Sequence, residues 1–247
     1  MVSQRFLDKH VIITGALGGI GFATAERFAA EGAKLMLVDL LSDDGSAAER
    51  LRRAGAPQVA TAACDIAEEE QVAAVVERTQ AELGGLDVIV NVAGMMIYKP
   101  IAELTGADWR RILDVNLLGA AFFTTQALRH MAGGGAIVNV ASIHARQTST
   151  LVAPYAAAKA ALESLTRSAA IEGRVRNIRV NAVLPGAVDT AMLRSSPVIQ
   201  SGAEKIDPAE VGSPADIAAT IAFLASDDAR FVTGASVLVD GGRLAKL

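Results

Sequence analysis

The sequence predicts a doubly wound parallel α/β sheet of seven strands with helices on both faces. Three observations carry this. Short apolar, β-branched runs alternate with longer amphipathic segments along all 247 residues. The runs are apolar on both faces, as strands covered by helices on either side must be. A helix-length segment separates most runs from the next, the spacing of right-handed crossovers between parallel strands.

Taken in order, the strand candidates are 10–14, 34–38, 59–63, 86–91, 136–140, 179–183 and 236–239. Helix candidates lie near 20–31, 44–54, 68–83, 108–131, 154–174 and 214–224. Ser42 to Asp44 and Thr105 are N-cap types, Gly32 and Gly55 are C-terminal stops, and Pro214 suits a first helical turn. The least regular stretch, 186–213, carries Pro197, Gly202, Pro208 and Gly212 and reads as a substrate lid on a single domain spanning 1–247.

Composition narrows the function. Apolar residues make up 51% and charged residues 20%, as in a folded globular chain. A net charge of -4 and a pI near 5.5 argue against a nucleic-acid surface. Arg50, Arg52 and Arg53, and Arg174, Arg176 and Arg179, read as solvated faces. The single cysteine, Cys64, forms no internal disulfide and fits a reducing compartment. Residues 1–10 hold no apolar signal region, and no stretch reaches the roughly 18 apolar residues of a membrane helix. The expectation is a soluble cytoplasmic protein without nucleic-acid or membrane partners. His10, His130 and His144 match no metal-ligand spacing, so no metal is expected.

The first strand runs into Gly15-Ala16-Leu17-Gly18-Gly19-Ile20-Gly21, with a helix after it. Glycines let backbone approach a pyrophosphate, and the helix N-terminus offers unpaired N–H groups to it. Asp39 follows the second strand eighteen residues after Gly21, where a carboxylate accepts hydrogen bonds from adenosine ribose hydroxyls. It would repel a 2′-phosphate: two unit charges about 4 Å apart cost on the order of 4 kcal/mol at an effective dielectric of about 20. No Arg or Lys stands in 16–19 or directly after Asp39 to offset this, so NAD is expected over NADP.

Tyr155 and Lys159 stand at i and i+4 on one helix face. An ammonium beside a phenol favours the phenolate and is expected to lower its pKa toward useful proton transfer. Ser142 lies just past the fifth strand, where strand ends meet the ligand crevice.

With these residues the chain resembles the short-chain dehydrogenase/reductase family over essentially its whole length. The resemblance rests on the Thr14–Gly21 loop, Asp65, Asn91-Val92-Ala93-Gly94, Asn116, Ser142, Tyr155 and Lys159. It continues through Pro185-Gly186-Ala187-Val188-Asp189-Thr190 and Val239-Asp240-Gly241-Gly242. Ser142 and Tyr155 are thirteen residues apart, as in the family. The family's Asn-Asn-Ala-Gly reads Asn-Val-Ala-Gly here, which leaves only the second Asn's role open.

The resemblance implies a Rossmann-type fold, a homotetramer, and a hydride-transferring oxidoreductase of secondary alcohols or ketones. It implies Tyr155 as proton donor and acceptor, Ser142 orienting the substrate oxygen, Lys159 on the nicotinamide ribose and Asn116 holding a relay water. The implied cofactor contacts are Gly15, Gly18, Gly19, Ile20 and Gly21; Asp39 and Leu40; Asp65 and Ile66; Asn91, Ala93 and Gly94; and Pro185, Gly186, Val188 and Thr190, beside Tyr155 and Lys159. His144, Arg146, Gln147 and Thr148 would suit a sugar or polyol; Met95, Met96, Met192 and Leu193 would suit an apolar cyclic alcohol, and Tyr98 joins Met95 and Met96 as a candidate pocket wall. A 3-oxoacyl-ACP-reductase-like activity is the alternative, disfavoured by Asp39 because it usually goes with NADPH. A non-catalytic NAD sensor is a third reading. Small residues at Ala156, Ala157, Ala158, Ala160 and Ala161 make self-association plausible.

Overall fold

The computed structural model describes residues 4–202 and 204–246. Residues 1–3 of the N-terminal segment, Ala203 within the candidate lid and Leu247 fall outside the described residues. The strands are β1 (His10–Thr14), β2 (Lys34–Asp39), β3 (Val59–Ala63), β4 (Val88–Asn91), β5 (Gly135–Val140), β6 (Ile178–Pro185) and β7 (Ser236–Val239). All pair in parallel, in the order β3-β2-β1-β4-β5-β6-β7.

Alternation along each strand builds two cores. Val11, Ile13, Leu35, Leu37, Val88 and Val90 point to one face. There they meet Phe28 of α1 (Gly19–Ala30), Leu51 of α2 (Ser46–Ala54) and Ile221 of α9 (Pro214–Ala225). Ile12, Met36, Val38, Ile89 and Ile137 point to the other. They meet Val72 and Val76 of α3 (Glu69–Leu83) and Phe123 of α5 (Gly119–His130). The long α6 (Ala153–Gly173) joins this second layer through Ala169 and Ala170. Truncating a fully buried ring such as Phe28 or Phe123 to Ala costs ~3–5 kcal/mol.

The predicted punctuation works by identifiable bonds. Asp43 accepts the Ala47 and Ala48 N–H groups at 3.1 Å and so caps α2, although Gly45 is the cap residue itself. Thr105 and Asp108 form a reciprocal capping box at the start of α4 (Gly106–Leu113), and Ser213 and Asp216 do the same before Pro214.

Two expectations are corrected. The single helix read over 108–131 is two, α4 and α5, joined by a π turn at Asp114–Leu118. The Asn116 amide, which donates to the Ile112 and Met95 carbonyls at 3.0 Å, competes there with the regular ladder. Arg179 is not on a solvated face: its guanidinium donates to the Leu224, Ala225 and Ser226 carbonyls at 2.6–3.2 Å and closes α9. The 186–213 stretch holds two four-residue helices, α7 (Ala191–Arg194) and α8 (Pro197–Gln200). Among the described residues, no helix is long and apolar enough to cross a membrane.

Candidate active site

Strand order reverses between β1 and β4, and a cleft opens at the carboxyl ends of the strands. Two adjoining cavities fill it, of about 400 and 330 Å³, sharing Ile20, Val92, Gly94, Thr190 and Met192.

The larger cavity is floored by the glycine loop. Gly15 has φ +61, and a Cβ there would stand 2.9 Å from the Ala93 Cα. A Cβ on Gly21 would fall inside the Gly15 carbonyl oxygen. Helix α1 begins at Gly18 with no side-chain cap and no acid in its first turn, so its N-terminal N–H groups face the cavity unopposed. This cradle fits a phosphate group. Asp39 sits at the rim and accepts the Leu17 N–H at 3.0 Å, which aims its carboxylate at the loop. Leu40, Asp65 and Ile66 complete that end, with Asp65 held by Arg111 at 3.2 Å.

The smaller cavity holds Ser142, Tyr155 and Lys159 together with Pro185, Gly186 and Val188. Ser142 follows β5 and accepts the His144 N–H at 3.2 Å. Tyr155 and Lys159 lie one turn apart on α6, the Lys159 Nζ 5.6 Å from the centre of the Tyr155 ring. Both are buried, at 8% and 3% exposure. The Lys159 ammonium donates to the Val140 carbonyl at 2.7 Å.

The expected lowering of the Tyr155 pKa is not what the protein's own groups produce. Burial pushes the phenol up to about 12, with Tyr98 adding to the rise and the Ser142 hydroxyl opposing it. Burial likewise pulls Lys159 down to about 8. Near pH 7 the pair is therefore a neutral phenol beside an ammonium, not a phenolate beside one.

Three site candidates lie behind the cavity walls. Gly21 packs under the loop. Asn91 donates to Asn139 at 2.8 Å, which donates to Thr166 at 2.9 Å, in a buried chain that ties β4 to β5 and α6. Asn116 spends its amide on Ile112 and Met95, and a Cβ on Gly94 would come within 2.8 Å of its Oδ1.

The substrate-side wall divides the polar and apolar candidates. His144, Gln147, Thr148, Met96, Tyr98, Met192 and Leu193 line it. Met95 faces the larger cavity instead, and Arg146 turns away to Glu163 at 3.1 Å. The His144 ring meets Tyr155 edge-on at 6.0 Å, and burial chiefly lowers its pKa. Two charged lining residues were not singled out by the sequence reading. Glu204 of the 186–213 stretch and Arg243, past β7, pair at 2.5 Å across the cavity mouth. No spacing flagged them, since a lone acid in an irregular segment and a lone base after Gly241-Gly242 carry no motif. Among the described residues, no cluster of His, Cys, Asp and Glu could hold a metal ion.

Known proteins match this arrangement. A family model described as Enoyl-(Acyl carrier protein) reductase matches residues 15–243. A cis-4-hydroxycyclohexanecarboxylate dehydrogenase from Sinomonas cyclohexanicum is 42% identical over 246 residues, 98% of each chain. A 3beta-hydroxysteroid dehydrogenase 1 from Eggerthella lenta is 37% identical, covering 95% of this chain and 93% of that one. Among solved structures, a short-chain type dehydrogenase/reductase from Mycobacterium marinum superposes with a TM-score of 0.89 at 29% identity, covering 96% of both chains.

Proposed function

The chain belongs to the short-chain dehydrogenase/reductase family, oxidoreductases of CH–OH groups that work with a nicotinamide cofactor, and from that premise we propose an NAD(H)-dependent dehydrogenase of ring-borne secondary alcohols. The single observation carrying the reaction is the joint placement of Ser142, Tyr155 and Lys159 on one cavity wall beside the glycine cradle. A nicotinamide dinucleotide, when bound, accepts or supplies the hydride at its ring.

The chain's own residues handle the proton. Ser142 Oγ holds the substrate oxygen. Tyr155 Oη gives a proton to that oxygen in reduction and takes one from it in oxidation. Because burial holds the phenol up, the ammonium of Lys159 and the hydrogen bond of Ser142 must together favour the phenolate during oxidation. Lys159 also serves the nicotinamide ribose. Asn116, its side chain engaged with Met95 and Ile112, would hold the relay water that the family resemblance implies. Gly15, Gly18, Gly19 and Ile20 cradle the pyrophosphate, with Gly21 and Asn91 supporting them from beneath. Asp65 and Ile66 would border the adenosine end, Ala93 and Gly94 the path from adenosine to nicotinamide, and Val188 and Thr190 would orient the carboxamide beside Pro185 and Gly186. Residues 186–202 and 204–213 would form the substrate lid of a single domain. Replacing Tyr155 by Phe removes turnover while leaving dinucleotide binding near the original value; a Tyr155→Phe enzyme with substantial kcat sinks the assignment.

The preference for NAD rests on Asp39 beside the glycine loop. Steady-state kinetics should give a kcat/KM for NADH well above that for NADPH, and Asp39→Ala should narrow the gap by at least ~tenfold. The reverse preference would overturn it. The 42% identical relative named for a hydroxycyclohexane carboxylic acid, and the steroid dehydrogenase beside it, favour a ring alcohol over a linear polyol. The apolar wall of Met96, Met192 and Leu193 supports the same choice. A reducing, cytoplasmic setting suits the single buried Cys64, and self-association into a homotetramer suits the exposed apolar face around β7.

A further inference from the structure

The substrate cavity carries three cationic or potentially cationic side chains: Lys159, His144 and Arg243. Lys159 lies at the reacting end, its ammonium on the Val140 carbonyl. His144 is pushed toward its neutral form by burial. Arg243 is the remaining cation of the lining, and it is paired with Glu204. The His144 ring, 6.0 Å from that of Tyr155, lines the same cavity as Arg243 and Glu204, whose charges act on it in opposite directions.

The way Arg243 is held matters. The Asp240 carboxylate accepts the Gly242 and Leu244 N–H groups, both at 2.9 Å, and fixes the turn that carries it. Its side chain is only 20% exposed, yet among the described residues it makes one side-chain hydrogen bond, from Nη2 to Glu204 Oε1. A guanidinium offers five donors in a planar fork suited to carboxylate oxygens, so most of this one is uncommitted among the described residues.

We propose that Arg243 is the anion-recognition residue of the substrate cavity, taking a carboxylate carried by the ring alcohol. This rests on the reading of the site as a ring-alcohol dehydrogenase and adds its substrate class. Glu204 sets the charge limit. With one acid already on the guanidinium, a monoanion fits and a dianionic phosphate would meet repulsion. Glu204 then acts as a competitor on the lid side, occupying the fork edge that substrate would share.

The test compares cis-4-hydroxycyclohexanecarboxylate with its uncharged methyl ester as substrates. In parallel, calorimetry measures cyclohexanecarboxylate and cyclohexanecarboxamide binding to the NADH-loaded enzyme. The acid should exceed the ester in kcat/KM, and Arg243→Leu should reduce that ratio about tenfold to thirtyfold, mainly through KM, as loss of a charge-assisted bond predicts. Arg243→Lys should restore part of it. Glu204→Gln should raise the ratio about threefold by removing the competing acid. A plain clasp between lid and tail would instead lower acid and ester equally in both variants, and that result overturns the proposal. The Glu204 variant decides the matter even if Arg243→Leu fails to fold. Arg243-dependent binding of the acid without any turnover would strike the reaction and leave this recognition standing. Equal binding of acid and amide, with turnover intact, would strike this recognition alone.

Discussion

Burial moves Tyr155 and Lys159 in opposite directions because one is charged after losing its proton and the other before. The consequences for stability differ in sign. Lys159 titrates near 8 in the folded chain against 10.5 ordinarily, so between those values the unfolded chain binds more protons and stability rises with pH. Below pH 8 the folded protein carries the full cost of a buried ammonium. Tyr155 titrates near 12 against 10.0, so the unfolded chain ionises first and stability falls as pH climbs between them. Lys159→Met should therefore raise the melting temperature at pH 7 by a few degrees while removing most turnover, with the gain fading toward pH 10.5; calorimetry across pH measures this. Ser142 holds the Tyr155 phenol down, and oxidation needs that phenol ionised. Ser142→Ala should thus shift the rising limb of the oxidation pH profile to higher pH as well as lowering kcat.

At the scale of elements, the loop between β1 and α1 leaves no room for a side chain at Gly21. Gly21→Ala must push α1 off the Gly15 carbonyl, at a cost of ~1–3 kcal/mol, and weaken dinucleotide binding at least ~tenfold by fluorescence titration. This element was readable in sequence because strand, glycines and helix follow one another with nothing between. β1, β3 and β7 were legible to the residue for the same reason: turn-formers or polar residues bound each apolar run. The π turn at Asp114–Leu118 was not, because the apolar pattern of 108–131 continues through it and only the Asn116 amide's tertiary partners interrupt the ladder. Nor were α7 and α8, since four residues are too few to show a period. Arg179 looked like any basic surface residue until the end of α9 arrived beside it.

For the whole molecule, apolar side chains gather outside the core around β7. Phe231 is 99% exposed, and Leu238 of β7 and Phe223 of α9 are also exposed. β7 is an edge strand whose free side is a template for pairing or packing. Light scattering should give a mass near a multiple of the 25.5 kDa chain, a tetramer on the present reading, and Phe231→Asp should reduce it. A monomer at micromolar concentration would refute this. Of the small residues of α6, Ala156 and Ala158 are buried within the chain, while Ala157 and Ala160 stay exposed.

The two cavities of the cleft draw on different stretches of chain. The adenosine end comes from residues up to 115 with only 190–192 added, and the substrate end mostly from 140–206 and 243–244. Selection can therefore act on the two specificities as separate traits. Changes at His144, Glu204 or Arg243 can redirect the enzyme to a new alcohol with the dinucleotide grip inherited intact, and an engineer can vary the same few positions without rebuilding the rest.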